Sequence, residues 1–405
     1  MPRVAILFDN FGPYHLARLS AASLVCNVLA VEFGSSSAEY DWKASEASGL
    51  QRVALNDRGS SRELSPEEFQ KRLFAVLDGF HPEAVVVPGW GYRGSLLALR
   101  WGLSHRVPVI CMSESTQWDE VRNPIKEWIK RRIISLFSSA LVGGTPHRAY
   151  VQELGMPSDR IFLGYDAVDN RFFSEEARKI GTGSSELGDK RKPCFLASAR
   201  FIEKKNLPRL LRAYSRYLKQ ARPSTLDPRP STAVNPWNLV LLGDGAQRSE
   251  LEKLRSELGL ADCVEMPGFK QYEELPSYYA HAGAFIHAST TEQWGLVVNE
   301  AMASSLPVLV SNRCGCAADL VREGENGWTF DPTNEEQIAD LMLRIASDET
   351  RRKSMGLKSR EIIAEWGPDR FASGVKSAVE AALAAPRKKA GLLDRLILKV
   401  LTSKR

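Results

Sequence analysis

The chain has 405 residues, 43% of them hydrophobic and 25% charged, ordinary shares for a soluble globular protein that exclude disordered and collagen-like classes. That length exceeds what one hydrophobic core usually supports, so two domains are expected. The formal net charge is +5, yet Arg387 to Arg405 alone carries seven cations and one acid, leaving −1 for the remainder and no nucleic-acid-binding face.

In chain order, the first half alternates short apolar runs with helical patterns: VAILF, Tyr14 to Val25, NVLAVEF, Pro66 to Gly79, AVVVP, Ser95 to Leu103, VPVICM, Pro124 to Phe137 and ALVGG. Strands alternating with helices of this length predict βαβ crossovers and a parallel sheet. Residues 181–193, GTGSSELGDKRKP, lack periodicity and read as a linker between a domain at 1–180 and a second at 194–364. The second half repeats the pattern through CFLASAR, NLVLLGDG, CVEMPG, AFIHAS and PVLVS, interrupted by a proline-rich insertion from Arg222 to Pro236. The fold class is therefore α/β, two Rossmann-like parallel-sheet domains, with ligands expected at the carboxyl ends of the strands in a cleft between them.

No run approaches the roughly 18 to 20 uncharged apolar residues of a membrane span, and Val4 to Phe8 is too short for a signal core, so a cytoplasmic protein is expected. Cys26, Cys111, Cys194 and Cys263 lie in apolar or strand-like surroundings and read as reduced core thiols. Cys314 and Cys316 have no second ligand pair at zinc-like spacing, so neither a metal nor another cofactor is expected.

Chemistry concentrates in STTEQWGLVVNE, Ser289 to Glu300, where a strand runs into a polar turn and a helix begins near Gly295 and Leu296. Free amides at a helix start, here near Gly295 and Leu296, suit a phosphate. Glu292 in the turn and Glu300 one turn into the helix can accept hydrogen bonds from sugar and ribose hydroxyls. Arg200 and Lys205 follow another strand and can neutralise a diphosphate leaving group. Gly243, Asp244 and Gly245 end the next strand in a tight turn able to lie under a nucleotide base. In the first half, Gly12 precedes a helix and can approach a diphosphate, while His15 stands on the first turn of that helix as a possible acceptor or sugar contact. Gly89, Gly91 and Gly94 have GxGxxG spacing and Glu114 follows at the end of the next strand, a pattern that would suit an NAD(P)-dependent oxidoreductase. That fingerprint normally opens the first βαβ unit, whereas here at least two strands precede it.

Taken together, these residues resemble family 4 glycosyltransferases, the retaining GT-B family that builds bacterial cell-surface polysaccharides and glycolipids, most strongly from Phe195 to Pro332. Glu292 and Glu300 match its paired glutamates, and Arg200 and Lys205 its paired cations. The resemblance implies that Arg200 and Lys205 hold the donor pyrophosphate, Glu300 the ribose and Glu292 the donor sugar near its 3-hydroxyl, with the amides from Gly295 to Val297 supporting sugar and phosphate. It also implies transfer with retention and without an obligatory metal, from a UDP- or GDP-sugar to a lipid-linked oligosaccharide or polysaccharide acceptor. Two departures are evident: FGP leaves Gly12 as the only match to the family's Gly-Gly loop, and Glu114 stands where many relatives have a histidine. Similar proteins end in a helix that crosses back to the first domain, and residues 365–385 suit that role. A non-catalytic scaffold of a polysaccharide assembly would have no use for this donor set.

The tail at 386–405 is basic and amphipathic, with Leu392, Leu393, Leu396, Ile397, Val400 and Leu401 on one face and Asp394, Arg395 and Lys399 toward the other. Residues 387–405 therefore suit an anionic membrane surface, placing the protein peripherally on the inner face. Ile125, Trp128, Ile129, Ile133 and Leu136 mark a second basic helix, read as one that packs on the sheet.

Overall fold

The computed structural model describes residues 1–35, 49–57, 59–186, 193–221 and 235–403. Of the expected insertion only Asn235 and Pro236 are described, and residues 187–192 of the expected linker lie outside the described residues. The chain forms two compact units, Met1–Val168 with Trp366–Arg405, and Asp169–Glu365.

The first unit runs β1 (Arg3–Phe8), α1 (Pro13–Ser23), β2 (Asn27–Glu32), β3 (Gln51–Ala54), α2 (Pro66–Phe80), β4 (Ala84–Pro88), α3 (Arg93–His105), β5 (Val109–Ser113), α4 (Pro124–Leu136), β6 (Ser139–Val142), α5 (Thr145–Glu153) and β7 (Ile161–Leu163). Its strands pair in parallel in the order β3-β2-β1-β4-β5-β6-β7. Every residue of AVVVP and VICMS is buried, as required of central strands covered on both faces. Ser65 caps α2 by accepting from the Glu68 amide at 3.1 Å, with Pro66 at the first helical position. Asn123 and Pro124 open α4 in the same way.

The second unit runs α6 (Asn170–Glu186), β8 (Cys194–Ser198), α7 (Leu207–Ala221), β9 (Asn238–Leu242), α8 (Arg248–Glu257), β10 (Val264–Gly268), α9 (Leu275–His281), β11 (Ala282–His287), α10 (Leu296–Ala303), β12 (Val308–Ser311), α11 (Ala317–Leu320), β13 (Gly327–Phe330), α12 (Glu335–Ser347) and α13 (Glu349–Ile363). Its sheet is parallel in the order β10-β9-β8-β11-β12-β13. Both sheets reverse direction of winding once, between β1 and β4 and between β8 and β11. Those reversals are where open α/β sheets bind ligands, beyond the carboxyl ends of the strands.

The units divide at Val168, twelve residues before the Gly/Ser-rich run that reads as a linker, and α6 belongs to the second unit. Aromatic packing is the reason: Phe172 stacks on Tyr272 with centroids 4.7 Å apart, and Phe173 meets Tyr279 edge-on at 5.8 Å. The Asn170 side-chain amide also donates to the Ile363 carbonyl at 2.6 Å.

The chain then returns to the first unit. Helix α14 (Pro368–Ala384) lies on β6 and β7, so closely at Gly374 that a Cβ would fall 2.6 Å from the Leu163 carbonyl. The last helix, α15 (Leu392–Ser403), packs on α3 and α4. Among the described residues no helix is long and apolar enough to cross a membrane.

Candidate functional site

Because β8 and β11 are neighbours at the second sheet's reversal point, the loops that follow them meet. Asn206, held at φ 58°, donates from its side chain to the carbonyls of Ala288 (3.0 Å) and Pro332 (2.8 Å). The Thr290 amide donates to the Lys204 carbonyl at 2.9 Å. A third loop, after β12, joins them: the Glu292 amide donates to the Arg313 carbonyl at 3.1 Å, and the Gly315 amide returns to the Glu292 carbonyl at 3.0 Å. Three backbone-linked loops thus fix Glu292.

Glu292 is buried, 8% exposed, in a cluster of polar groups. Lys205 donates to Oε2, and the Lys204 ammonium lies 4.0 Å from Oε1. Ser289 Oγ donates to Oε2 at 3.3 Å, and His287 Nε2, protonated in the tautomer this contact favours, donates to the same oxygen at 3.3 Å. Burial alone would raise the Glu292 pKa, but the His287 hydrogen bond and the charges of Lys205 and Lys204 outweigh it, holding the carboxyl well below the ordinary range. Burial, reinforced by Lys205 against the pull of Glu292, lowers the His287 pKa, so the imidazole is neutral at pH 7. The site is a carboxylate held ionised between two ammonium groups.

Gly295 precedes α10 at φ 100°, a conformation that glycine adopts readily, and turns the chain into the helix. A Cβ there would sit 3.5 Å from Glu292 Cγ and 3.7 Å from Cys316 Sγ. Gly295, Leu296 and Val297 are partly exposed, and the first-turn amides of α10 lack helical acceptors. Glu300, one turn further, is fully buried and accepts from the Tyr279 hydroxyl at 2.6 Å. Burial first, then the Glu300 charge, raises the pKa of both Tyr279 and Tyr272.

Arg200 lies at the other end of the loop after β8, against the turn that follows β9. A Cβ on Gly243 (φ 131°) would come within 2.0 Å of the Ala199 carbonyl, and one on Gly245 (φ 152°) within 2.7 Å of the Phe201 carbonyl. These two glycines let the turns interlock, sealed by the Phe201 amide donating to the Asp244 carbonyl at 2.7 Å. The Asp244 carboxylate is engaged by Arg248 at 3.1 Å and by the Gly245 amide at 2.8 Å.

Gly12, His15 and Glu114 belong to the first unit. The Gly12 amide donates to His15 Nδ1 at 3.1 Å at the start of α1, and the His15 ring lies 4.5 Å from that of Phe8. Although His15 is only partly covered, desolvation and then Arg18 lower its pKa to about 3, leaving it neutral. Glu114, just past β5, lies beside Asp166, a buried carboxylate 3.9 Å from the Arg18 guanidinium. Burial, then the Glu114 charge, pushes the Asp166 carboxyl well above the ordinary range, with Arg18 opposing. Gly89 and Gly91 follow β4, and Gly94 sits in α3, where a Cβ would meet the Phe33 ring at 2.4 Å; close helix packing accounts for that glycine.

Lys204, His287, Ser289, Tyr279, Arg18 and Asp166 are the polar residues of these two clusters that the sequence patterns do not single out. Lys204 adjoins a chosen cation and His287 ends a strand five residues before Glu292, which are usable signals. Cys314 and Cys316 are buried and not in disulfides, and the Cys316 amide donates to the Trp294 carbonyl at 3.2 Å. Among the described residues no group of three or more His, Cys, Asp and Glu could hold a metal.

A doubly wound α/β protein with cations and a helix start gathered at a sheet's reversal point is the class these features define. Residues 184–362 match the family model for glycosyl transferases group 1, which covers most of the second unit. The chain is 23% identical over 253 residues to alpha-D-kanosaminyltransferase of Streptomyces kanamyceticus, covering 62% of each chain. It is 28% identical over 211 residues to a GDP-mannose-dependent alpha-(1-6)-phosphatidylinositol monomannoside mannosyltransferase of Mycolicibacterium smegmatis, covering 50% of each. The matched stretches thus span less than two thirds of those curated relatives. Among solved structures, HepE of Anabaena in complex with UDP superposes with a TM-score of 0.69 at 15% identity over 93% of this chain and 98% of its own, a likeness of fold.

Proposed function

We propose that the chain is a retaining glycosyltransferase that moves one hexosyl unit from a UDP- or GDP-sugar to a lipid-linked oligosaccharide or polysaccharide acceptor. The observation that carries this is Glu292, ionised and buried between Lys204 and Lys205 beside the start of α10. Lys204 and Lys205 flank the Glu292 carboxylate and Arg200 begins the same loop, a set of cations that suits a diphosphate. One fold neighbour, HepE of Anabaena, was crystallised with UDP and with UDP-glucose, and one relative is named for a lipid acceptor, which supports both halves of the reaction.

In this mechanism the cations hold the pyrophosphate with help from the amides of Gly295 to Val297, Glu292 accepts from a donor-sugar hydroxyl, and Glu300, steadied by Tyr279, serves the ribose. The bond between the anomeric carbon and the phosphate oxygen breaks, the acceptor oxygen bonds the same face of that carbon, and its proton passes to the departing phosphate. Charge on the leaving group is neutralised by Arg200, Lys204 and Lys205 without an obligatory metal. The enzyme works at the inner face of the membrane when its acceptor is lipid-linked. Thermal melting with UDP, GDP, ADP and TDP, then their sugars, tests the donor site: stabilisation by at least one diphosphate is expected, and indifference to all four together with stabilisation by NADH would refute it.

A further inference from the structure

Of twelve large hydrophobic side chains that stand exposed among the described residues, seven lie on α4, the turn before it, and α15: Val121, Ile125, Trp128, Leu392, Leu393, Leu396 and Val400. Those two helices are bound to each other. Asp394, the only acid of α15, is 9% exposed and pairs with Arg132 of α4 at 2.7 Å. Leu398 and Thr402 continue the same inward stripe at four-residue spacing, Leu398 in the core and Thr402 accepting from Arg100 at 2.8 Å. This anchoring reverses the side of α15 that its hydrophobicity alone would bury: Asp394 goes in, and Leu392, Leu396 and Val400 stay out. Arg132 also lies 5.5 Å from the Trp128 ring, so the residue that anchors α15 is next to the exposed Trp128 of α4.

Exposed cations flank them: Lys126 and Arg131 on α4, Arg395 and Lys399 on α15, and Arg387 and Lys389 just before it. The nearby acids are already engaged, Glu120 and Glu127 by Arg122 and Lys130. Monomeric soluble proteins rarely leave such a concentration of apolar groups in water. A second copy would bring the same cations against themselves. An anionic lipid surface meets both requirements, with acyl chains for the leucines and Trp128 and headgroups for the cations.

We propose that α4 and α15 form a single preformed face that docks the first unit on an anionic membrane. This goes beyond glycosyl transfer and does not depend on it. The test is co-sedimentation of the full chain with phosphatidylcholine vesicles, with and without phosphatidylglycerol. Binding is expected only with the anionic lipid, and Leu392→Asp with Leu396→Asp should abolish it. Ile125→Asp on the other helix should release the protein as well, and Lys126→Ser with Arg131→Ser supplies a milder second probe of that helix. Removing Arg395 and Lys399 together should weaken binding about 30-fold at low salt, since each cation near the surface contributes a factor of about 5. All these side chains are exposed, so melting temperature without vesicles and diphosphate release from a soluble donor should be unchanged, which separates this face from the donor site. The proposal is overturned if the wild type ignores anionic vesicles, or if only α15 substitutions matter, as for an independent tail. Loss of self-association in the same variants without vesicle binding would also overturn it, marking an interface between copies.

Discussion

Replacing Glu292 with Gln removes one charge while keeping the shape of the side chain and most of its contacts. Lys205 then loses its counter-charge at a site where the two side chains are only 12% and 10% exposed. Breaking a buried pair by removing one partner costs ~3–5 kcal/mol; the lower end applies here because Gln still accepts from Ser289 and Lys204 is a third exposed. A loss of about 3 kcal/mol corresponds to about 6–12 °C in melting temperature for a unit of this size. The carboxyl is depressed in the folded state, so its stabilisation is fully present above the unfolded pKa of about 4.3 and lost only as pH falls through the lower folded value. The difference between wild type and variant should therefore be flat from pH 5 to 8 and shrink in stronger acid. UDP or GDP should stabilise the variant more than the wild type, because the phosphates replace the missing counter-charge without displacing Glu292 from Lys205. Transfer should fall by about 10²–10³-fold, the usual effect of deleting one electrostatic contact at a reacting centre. The assay is melting with and without diphosphate, alongside diphosphate release from the sugar donor. Wild-type turnover, or a variant that no longer responds to any diphosphate, would refute the assignment of Glu292 and Lys205.

Tyr279→Phe deletes a 2.6 Å bond to the fully buried Glu300 and should cost about 1.5–3 kcal/mol while raising KM for the donor more than it lowers kcat; an unchanged KM would separate Glu300 from the nucleotide. Gly243→Ala drives a carbon to 2.0 Å from the Ala199 carbonyl, so the loop carrying Arg200 must shift, and diphosphate affinity should drop at least tenfold when measured by calorimetry. Asp166 has a raised folded-state pKa, so the folded chain holds a proton that the unfolded chain releases above about pH 4, and stability falls as pH rises from there toward the folded pKa. Asp166→Asn stays neutral, so it should melt with the wild type near pH 4 and above it at pH 8; a difference that does not vary with pH would contradict this.

Central strands were legible because burial on both faces writes them as continuous apolar runs, as in Ala84–Pro88 and Val109–Ser113. The strands that escaped notice, β3, β7 and β13, are three or four residues long, and all lie at sheet edges, where QRVA is half exposed and no such run is needed. Residues 169–180 were read as the end of the first domain because the Gly/Ser composition after them suggested a linker, but they open α6, which runs on to Glu186, and the contacts of Phe172 and Phe173 decide its allegiance. That Arg200, Lys205 and Glu292 stand in loops after strands was legible in the sequence. Which of them meet was not, since that depends on β8 and β11 being neighbours; Lys204 and His287 join Glu292 for that reason. Tyr279 and Glu300 are 21 residues apart and share no local pattern. For α15, an outward apolar face could be read but not what anchors the opposite side, because the Arg132 partner of Asp394 lies 262 residues earlier.

The most direct measurement is a proton NMR time course of the wild type with a panel of UDP- and GDP-sugars, following the anomeric signals, with Lys205→Ala as the control. The sugar should leave at least one donor with its anomeric configuration retained in the first-formed product, releasing one nucleoside diphosphate per sugar, and the control should be silent. Inverted product, or release that persists without Lys205, would contradict the account.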